Sequence, residues 1–168
     1  MKNLKDILFG VSLESVAGTT NYNISAITTD SRMANKDTLF VAIKGTAVDG
    51  HNFINQVIEN GTQIILCEQF DPNWSGKANF LVVSNTRKAL GILASNFYDN
   101  PSTKLKLVGV TGTNGKTTTT TILYDLFKKL GYKVGLLSTI QNLINEKVYR
   151  FSFQLDLLFN RGTDQKLE

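Results

Sequence analysis

The chain has 168 residues, 42% of them hydrophobic and 19% charged, with a formal charge of +4 and a pI near 9.2. That is material for one ordinary domain, or for a small domain and part of a second, with enough apolar residues for a core. The modest positive excess suits anionic ligands such as nucleotides. It is too small and scattered to indicate nucleic acid, and no basic stripe is interleaved with aromatics.

The N-terminal MKNLKDILFGVSLES is interrupted by Asp6 and Glu14, so no secretory core forms, and no apolar run reaches membrane-span length. The cytoplasm is therefore the expected compartment. LFVAI (39–43) reads as a short buried strand. HNFINQVIEN follows as a helix with Phe53, Ile54, Val57 and Ile58 on one face and Gly61 as its stop. His51, the single histidine, falls at that helix start, where capping or packing is expected and a multi-histidine metal site is excluded. QIILC (63–67) and FLVV (80–83) are further strands, separated by the polar loop DPNWSGK. Cys67, the only cysteine, sits in one of these apolar runs and reads as a buried structural thiol.

TRKALGILASNFYDNP reads as a helix capped by Thr86, with Ala89, Leu90, Leu93 and Phe97 facing the core. Asn100-Pro101 ends it, and a domain boundary is expected within 100–104. Beyond it come a strand LKLVGV, a glycine-rich loop, a helix to Leu130 with Ile122, Leu126 and Leu130 on one stripe, and a strand KVGLLS. Strands alternating with helices predict an α/β layered fold.

The loop TGTNGK between strand and helix has the setting of a phosphate loop. Glycines let backbone N–H groups approach phosphates, and the helix N-terminus adds partial positive charge. Lys116 can reach the terminal phosphates, and the Thr117 hydroxyl is placed to ligate Mg²⁺. The spacing is not the common G-x-x-x-x-G-K-[ST], however, because position 110 is valine and the flanking glycines are Gly109 and Gly112.

TGTNGKTT with this spacing resembles the ATP loop of the Mur ligase family. ITTDSR (27–32), DTLFVAIKGTAVDGHNFI (37–54) and GYKVGLLSTI (131–140) are similar to that family's blocks in the same order, closest to its MurE-type members. The resemblance implies an α/β UDP-substrate domain over residues 1–103 and the start of a parallel-sheet P-loop ATPase domain over 104–148. It implies an ATP-dependent, Mg²⁺-assisted ligase of peptidoglycan synthesis. Such a ligase phosphorylates the D-glutamate carboxylate of UDP-MurNAc-L-Ala-D-Glu, and the amine of a diamino acid, meso-diaminopimelate or L-lysine, then attacks the acyl phosphate. Carried over by position, Gly112, Thr113, Asn114, Gly115, Lys116, Thr117 and Thr118 would hold ATP, with Lys116 in the catalytic role and Thr117 on the metal. Thr29, Ser31, Thr46, Ala47 and Val48 would contact the UDP-muramoyl substrate. On the residues alone, Asp30-Ser31-Arg32 reads first as a good turn.

The resemblance is expected to stop after Val148, leaving 149–168 as a tail outside the family, from a frameshift or truncated gene model, and an isolated chain that is inactive. FSFQLDLLF within it fits neither strand nor helix period cleanly. A free-standing P-loop kinase or ATPase, and a non-catalytic nucleotide-binding module, are the alternative readings.

Overall fold

The computed structural model describes residues 1–45, 48–144 and 146–149. Thr46 and Ala47, and the FSFQLDLLF segment, lie outside the described residues. The chain divides into two units, the first running from Met1 to Leu105 and the second beginning at Lys106.

In the first unit the elements follow in the order β1 (Lys2–Asn3), α1 (Leu4–Ile7), β2 (Ser15–Ala17), β3 (Asn23–Ile24), β4 (Ala26–Thr28), β5 (Thr38–Val41), α2 (Ile54–Glu59), β6 (Ile64–Cys67), β7 (Asn79–Val82) and α3 (Thr86–Phe97). A five-stranded sheet has the order β2-β7-β6-β5-β4. Strands β4 to β7 are parallel, while β2 joins β7 antiparallel at one edge. β1 and β3 form a separate antiparallel pair.

The central strands β5 and β6 are buried at every position, as a parallel sheet covered on both faces requires. Alternation sends Phe40, Ile65, Cys67, Phe80 and Val82 to one face, where Ile54 and Val57 of α2 meet them. Leu39, Val41, Ile64, Leu66 and Leu81 point the other way and are equally buried. α3 buries Ala89, Leu90, Leu93 and Ala94, and α1 packs against it with Leu4 and Ile7. The Asn96 side-chain amide fixes that contact by donating to the carbonyls of Ile7 (2.9 Å) and Phe9 (2.7 Å). Each such apolar side chain contributes about 1.5–3 kcal/mol by leaving water.

Several expectations change at this level. The N-cap of α3 is Asn85, whose side chain accepts from the Lys88 N–H at 2.8 Å. Thr86 is the first helical residue and is fully buried. Phe97 is half-buried, and Ala94 takes the core position in its place. Asp99 and Asn100 both adopt positive φ, so α3 ends in a left-handed turn and not in the extended conformation expected before Pro101. The loop 71–77 is less polar in its packing than in its composition. Trp74 stacks on Phe80 at 5.5 Å between centroids, Phe70 meets Phe80 edge-on, and the indole N–H donates to Asn55 Oδ1 at 2.8 Å.

The second unit contains α4 (Lys116–Lys129) and an antiparallel meander of β8 (Gly135–Leu137), β9 (Asn142–Ile144) and β10 (Lys147–Tyr149). KVGLLS thus supplies a strand, but its described partner is an antiparallel neighbour. LKLVGV is not a strand. A strand exists only through hydrogen bonds to a neighbour, and residues 106–111 pair with no other strand among the described residues. The stripe Ile122, Leu126 and Leu130 is exposed, and Tyr124 is the residue α4 buries. Lys128 and Glu146 form a surface ion pair at 2.9 Å.

Burial pushes the Cys67 thiol up to about 11. The folded chain is expected to resist an aromatic disulfide reagent at pH 8 and to release one thiol equivalent only in denaturant. Rapid reaction without denaturant would contradict this burial.

Candidate functional site

In a parallel sheet the residues that follow the strands gather along one edge, outside the carboxyl ends. Here that edge collects four segments distant in sequence. After β4 comes the turn 28–33, in which the Asp30 N–H donates to Thr28 Oγ1 (3.1 Å) and the Met33 N–H to the Asp30 carbonyl (3.1 Å). The Asp30 carboxylate takes the Arg32 backbone N–H and its guanidinium, and the Arg32 side-chain bond holds that carboxyl below its ordinary range. Thr29 is exposed and Ser31 half-buried on this turn.

After β5 comes the loop entered at Lys44 and left at Gly50. Its two stems are joined by a Lys44–Asp49 bridge, by Gly45 N–H to the Val48 carbonyl (2.9 Å), and by Gly50 N–H to the Ile43 carbonyl (2.8 Å). Both glycines are needed for this close approach. A Cβ on Gly45 would lie 2.5 Å from the Val48 carbonyl oxygen, and one on Gly50 2.7 Å from the Ile43 nitrogen. Val48 is exposed. The structure therefore brings Thr29, Ser31 and Val48 to one edge, on the turns that follow neighbouring strands.

After β6 comes Glu68, and after β7 the start of α3. Glu68 Oε1 accepts from both the backbone N–H and the hydroxyl of Thr86, each at 2.9 Å. The Glu68 N–H donates to His51 Nε2 at 2.9 Å, while His51 Nδ1 lies 2.7 Å from Asp49 Oδ1. The same Asp49 oxygen caps the His51 backbone N–H at 2.9 Å, and this bond leads in holding the Asp49 carboxyl below its usual range. Arg87, exposed on the first turn of α3, donates to the Lys44 carbonyl at 2.9 Å. Lys44, Glu68 and Arg87 were not singled out from the sequence, and Thr86 was read only as a helix cap. Their signal was positional, since each lies just after a strand or in the first turn of a helix at the carboxyl edge of a parallel sheet.

In the second unit the loop residues Gly112–Gly115 run into α4, with Lys116 as its first residue. Gly115 is the N-cap in a left-handed conformation (φ +76°), and Gly112 is also at positive φ (+151°). No side chain caps this helix, so the first-turn N–H groups face outward toward any anion that approaches. Lys116 Nζ reaches back across the loop to the carbonyls of Gly112 (2.5 Å) and Thr113 (3.2 Å). Thr120 and Thr121 turn their hydroxyls onto backbone carbonyls within α4, while Thr113, Asn114 and Thr118 are exposed and Thr117 is half-buried. Among the described residues no group of three or more His, Cys, Asp or Glu side chains could hold a metal. The Thr117 hydroxyl is nevertheless a hard oxygen donor of the kind Mg²⁺ accepts alongside phosphate and water. None of the described helices is long and apolar enough to cross a membrane.

A parallel α/β unit with a polar carboxyl edge, followed in sequence by a glycine loop on a helix N-terminus, defines an α/β protein with a loop of the phosphate-loop type. Residues 23–98 match the Mur ligase family catalytic domain, and residues 110–167 match the Mur ligase middle domain. The chain belongs to the Mur ligase family. A UDP-N-acetylmuramoyl-L-alanyl-D-glutamate--2,6-diaminopimelate ligase of Cytophaga hutchinsonii is 51% identical over 146 residues, covering 86% of this chain and 30% of the relative. A like-named ligase of Clostridium acetobutylicum is 43% identical over 171 residues, covering 98% of this chain and 35% of the relative. The crystal structure of MurF from Acinetobacter baumannii superposes with a TM-score of 0.60 at 31% identity, over 77% of this chain and 28% of that one. The chain thus spans about a third of the length of the curated relatives it matches. The middle-domain match and the Clostridium alignment both run through the stretch from residue 149 onward that the sequence reading set outside the family.

Two substitutions probe the two constellations. Glu68→Ala strands the buried Thr86 hydroxyl and N–H, and is expected to cost about 1–3 kcal/mol, seen as a lower urea midpoint with an unchanged slope. Gly115→Ala forces a side chain into the left-handed region at about 1–2 kcal/mol, and should lower the unfolding temperature of the second unit. Unchanged midpoints would remove these roles.

Proposed function

We propose that this chain carries the substrate-binding and ATP-binding portions of an ATP-dependent ligase that joins a diamino acid to UDP-MurNAc-L-Ala-D-Glu. The observation that supports it most is the glycine loop on the uncapped α4 N-terminus, in a chain 51% identical over 146 residues to a diaminopimelate ligase. Identity to those ligases exceeds the 31% shared with the MurF structure, which favours addition of a diamino acid, diaminopimelate before lysine.

In this reading residues 1–103 form the UDP-substrate domain and 104–148 open the ATP domain. Thr29, Ser31 and Val48, at the carboxyl edge of the first sheet, meet the UDP-muramoyl substrate, and Thr46 and Ala47 are assigned to it by their place in the sequence. Gly112 to Thr118 receive the phosphates of ATP. The first-turn N–H groups and Lys116 offset the negative charge of the phosphates as it shifts toward the leaving oxygen in the transition state. Lys116 must exchange its loop carbonyls for phosphate oxygens, a charge-assisted replacement for neutral acceptors that favours the bound arrangement. The Thr117 hydroxyl would hold Mg²⁺, which would supply further neutralisation of phosphate charge. Phosphorylation of the carboxylate converts it to an acyl phosphate, from which an amine can displace phosphate. The compartment this implies is the cytoplasm, and the ligands are small molecules.

Calorimetric titration of the chain with Mg·ATP, and separately with UDP-MurNAc-L-Ala-D-Glu, tests this. Lys116→Ala should weaken ATP about 10- to 100-fold, the worth of one hydrogen bond to a charged group, and leave the UDP ligand unaffected. Failure of the unsubstituted chain to bind either ligand would overturn the proposal.

A further inference from the structure

The stems of the loop after β5 are gripped from the same place, the first turn of α3. On the outgoing stem the grip is relayed. The Thr86 N–H and hydroxyl fix the Glu68 carboxylate, the Glu68 N–H binds His51 Nε2, and the other ring nitrogen meets Asp49. On the incoming stem it is direct, from the Arg87 guanidinium to the Lys44 carbonyl. Both grips are polar. Arg87 is exposed, and each ring nitrogen of the partly buried His51 meets a polar partner.

The ring also declares its proton. An acceptor from a backbone N–H carries no hydrogen, so Nε2 is bare, and the proton resides on Nδ1, donated to Asp49. This is the less common neutral tautomer, and a ring held in it on both sides acts as a rigid strut. We propose that His51, as the Nδ1–H tautomer, and Arg87 are positioning residues that hold the Lys44–Gly45 and Val48–Gly50 stems in the shape that receives the UDP end of the substrate. The inference rests on the assignment of Val48 and Ser31 to that substrate. Its physical content is preorganisation: stems fixed during folding need not be ordered again on binding, and that saving appears as affinity.

The test uses the 168-residue chain and UDP-MurNAc-L-Ala-D-Glu as probe. Because His51 is the only histidine, one long-range ¹H–¹⁵N spectrum reports its tautomer without assignment. A bare Nε2 with a protonated Nδ1 is expected, and the opposite pattern would overturn the strut. His51→Ala and Arg87→Ala should each weaken the probe about 5- to 30-fold, the worth of a hydrogen bond in orienting a loop. Arg87→Lys, which can still donate to the Lys44 carbonyl, should recover most of the loss. Mg·ATP binding should not move in any of them. Unchanged probe affinity in Arg87→Ala, an exposed site whose change leaves the core intact, would refute the proposal even where His51→Ala fails to fold. If the unsubstituted chain does not bind the probe, it is the substrate assignment that falls. Amide exchange then decides the positioning claim: Gly45 and Gly50 N–H exchange accelerated in Arg87→Ala sustains it, and unaltered exchange ends it.

Discussion

The first unit is governed by the requirement that β5 and β6 be hydrogen-bonded on both sides and covered on both faces. Two strands that bury every side chain leave none of their own residues to carry chemistry. Parallel pairing then forces each chain segment to leave the sheet at the same edge before it crosses back. The polar groups displaced from the strands accumulate at those exits: Asp30 and Ser31 after β4, Lys44 after β5, Glu68 after β6, Asn85 after β7. The site is in this sense a consequence of the core, because the residues that meet there are those the sheet could not accommodate.

Glu68 shows how such an edge becomes rigid. Its carboxylate and its backbone N–H face different partners, so one residue joins the helix start at Thr86 to the loop exit at His51. The arrangement satisfies polar groups that burial would otherwise penalise, Thr86 above all. Asp49, capped first by the His51 backbone N–H and met next by its ring, holds its carboxyl below the usual range.

Much of this was legible in the sequence, and the misses share a cause. The central strands, α2 and α3 announced themselves because burial on both faces, or on one helical stripe, leaves a long periodic trace. β2, β3 and β4 were missed because two or three residues at a sheet edge need no apolar pattern, only a neighbour. Trp74 was lost in a polar loop, since one aromatic folding back onto Phe80 has no period. The cap of α3 was misplaced by one residue because Asn85 and Thr86 are both good caps, and only the half-buried Glu68, which takes up the Thr86 hydroxyl, decides between them. LKLVGV and the Ile122 stripe were read correctly as apolar, but apolar residues become strand or core only against a partner, and composition does not supply one. Within the candidate sites, glycines and Gly-Lys-Thr were visible. The relay through His51 was not, because it depends on which strands lie side by side.

The two constellations therefore depend on different kinds of order. The edge of the first sheet is a tertiary product, assembled by hydrogen bonds between residues 17 to 43 positions apart and lost if β5, β6 and α3 separate. The glycine loop before α4 is nearly a local one. Gly115 in the left-handed region starts α4, Lys116 folds onto carbonyls three and four residues behind it, and threonine hydroxyls bind within the same helix. It keeps its form although residues 106–111 pair with no other described strand and the apolar stripe of α4 is uncovered. Local order of this kind fixes the direction in which the N–H groups point, but it cannot exclude water or hold a second ligand against the first. Binding a phosphate and transferring one are separable demands, and it is the first that a loop set by its own backbone can meet.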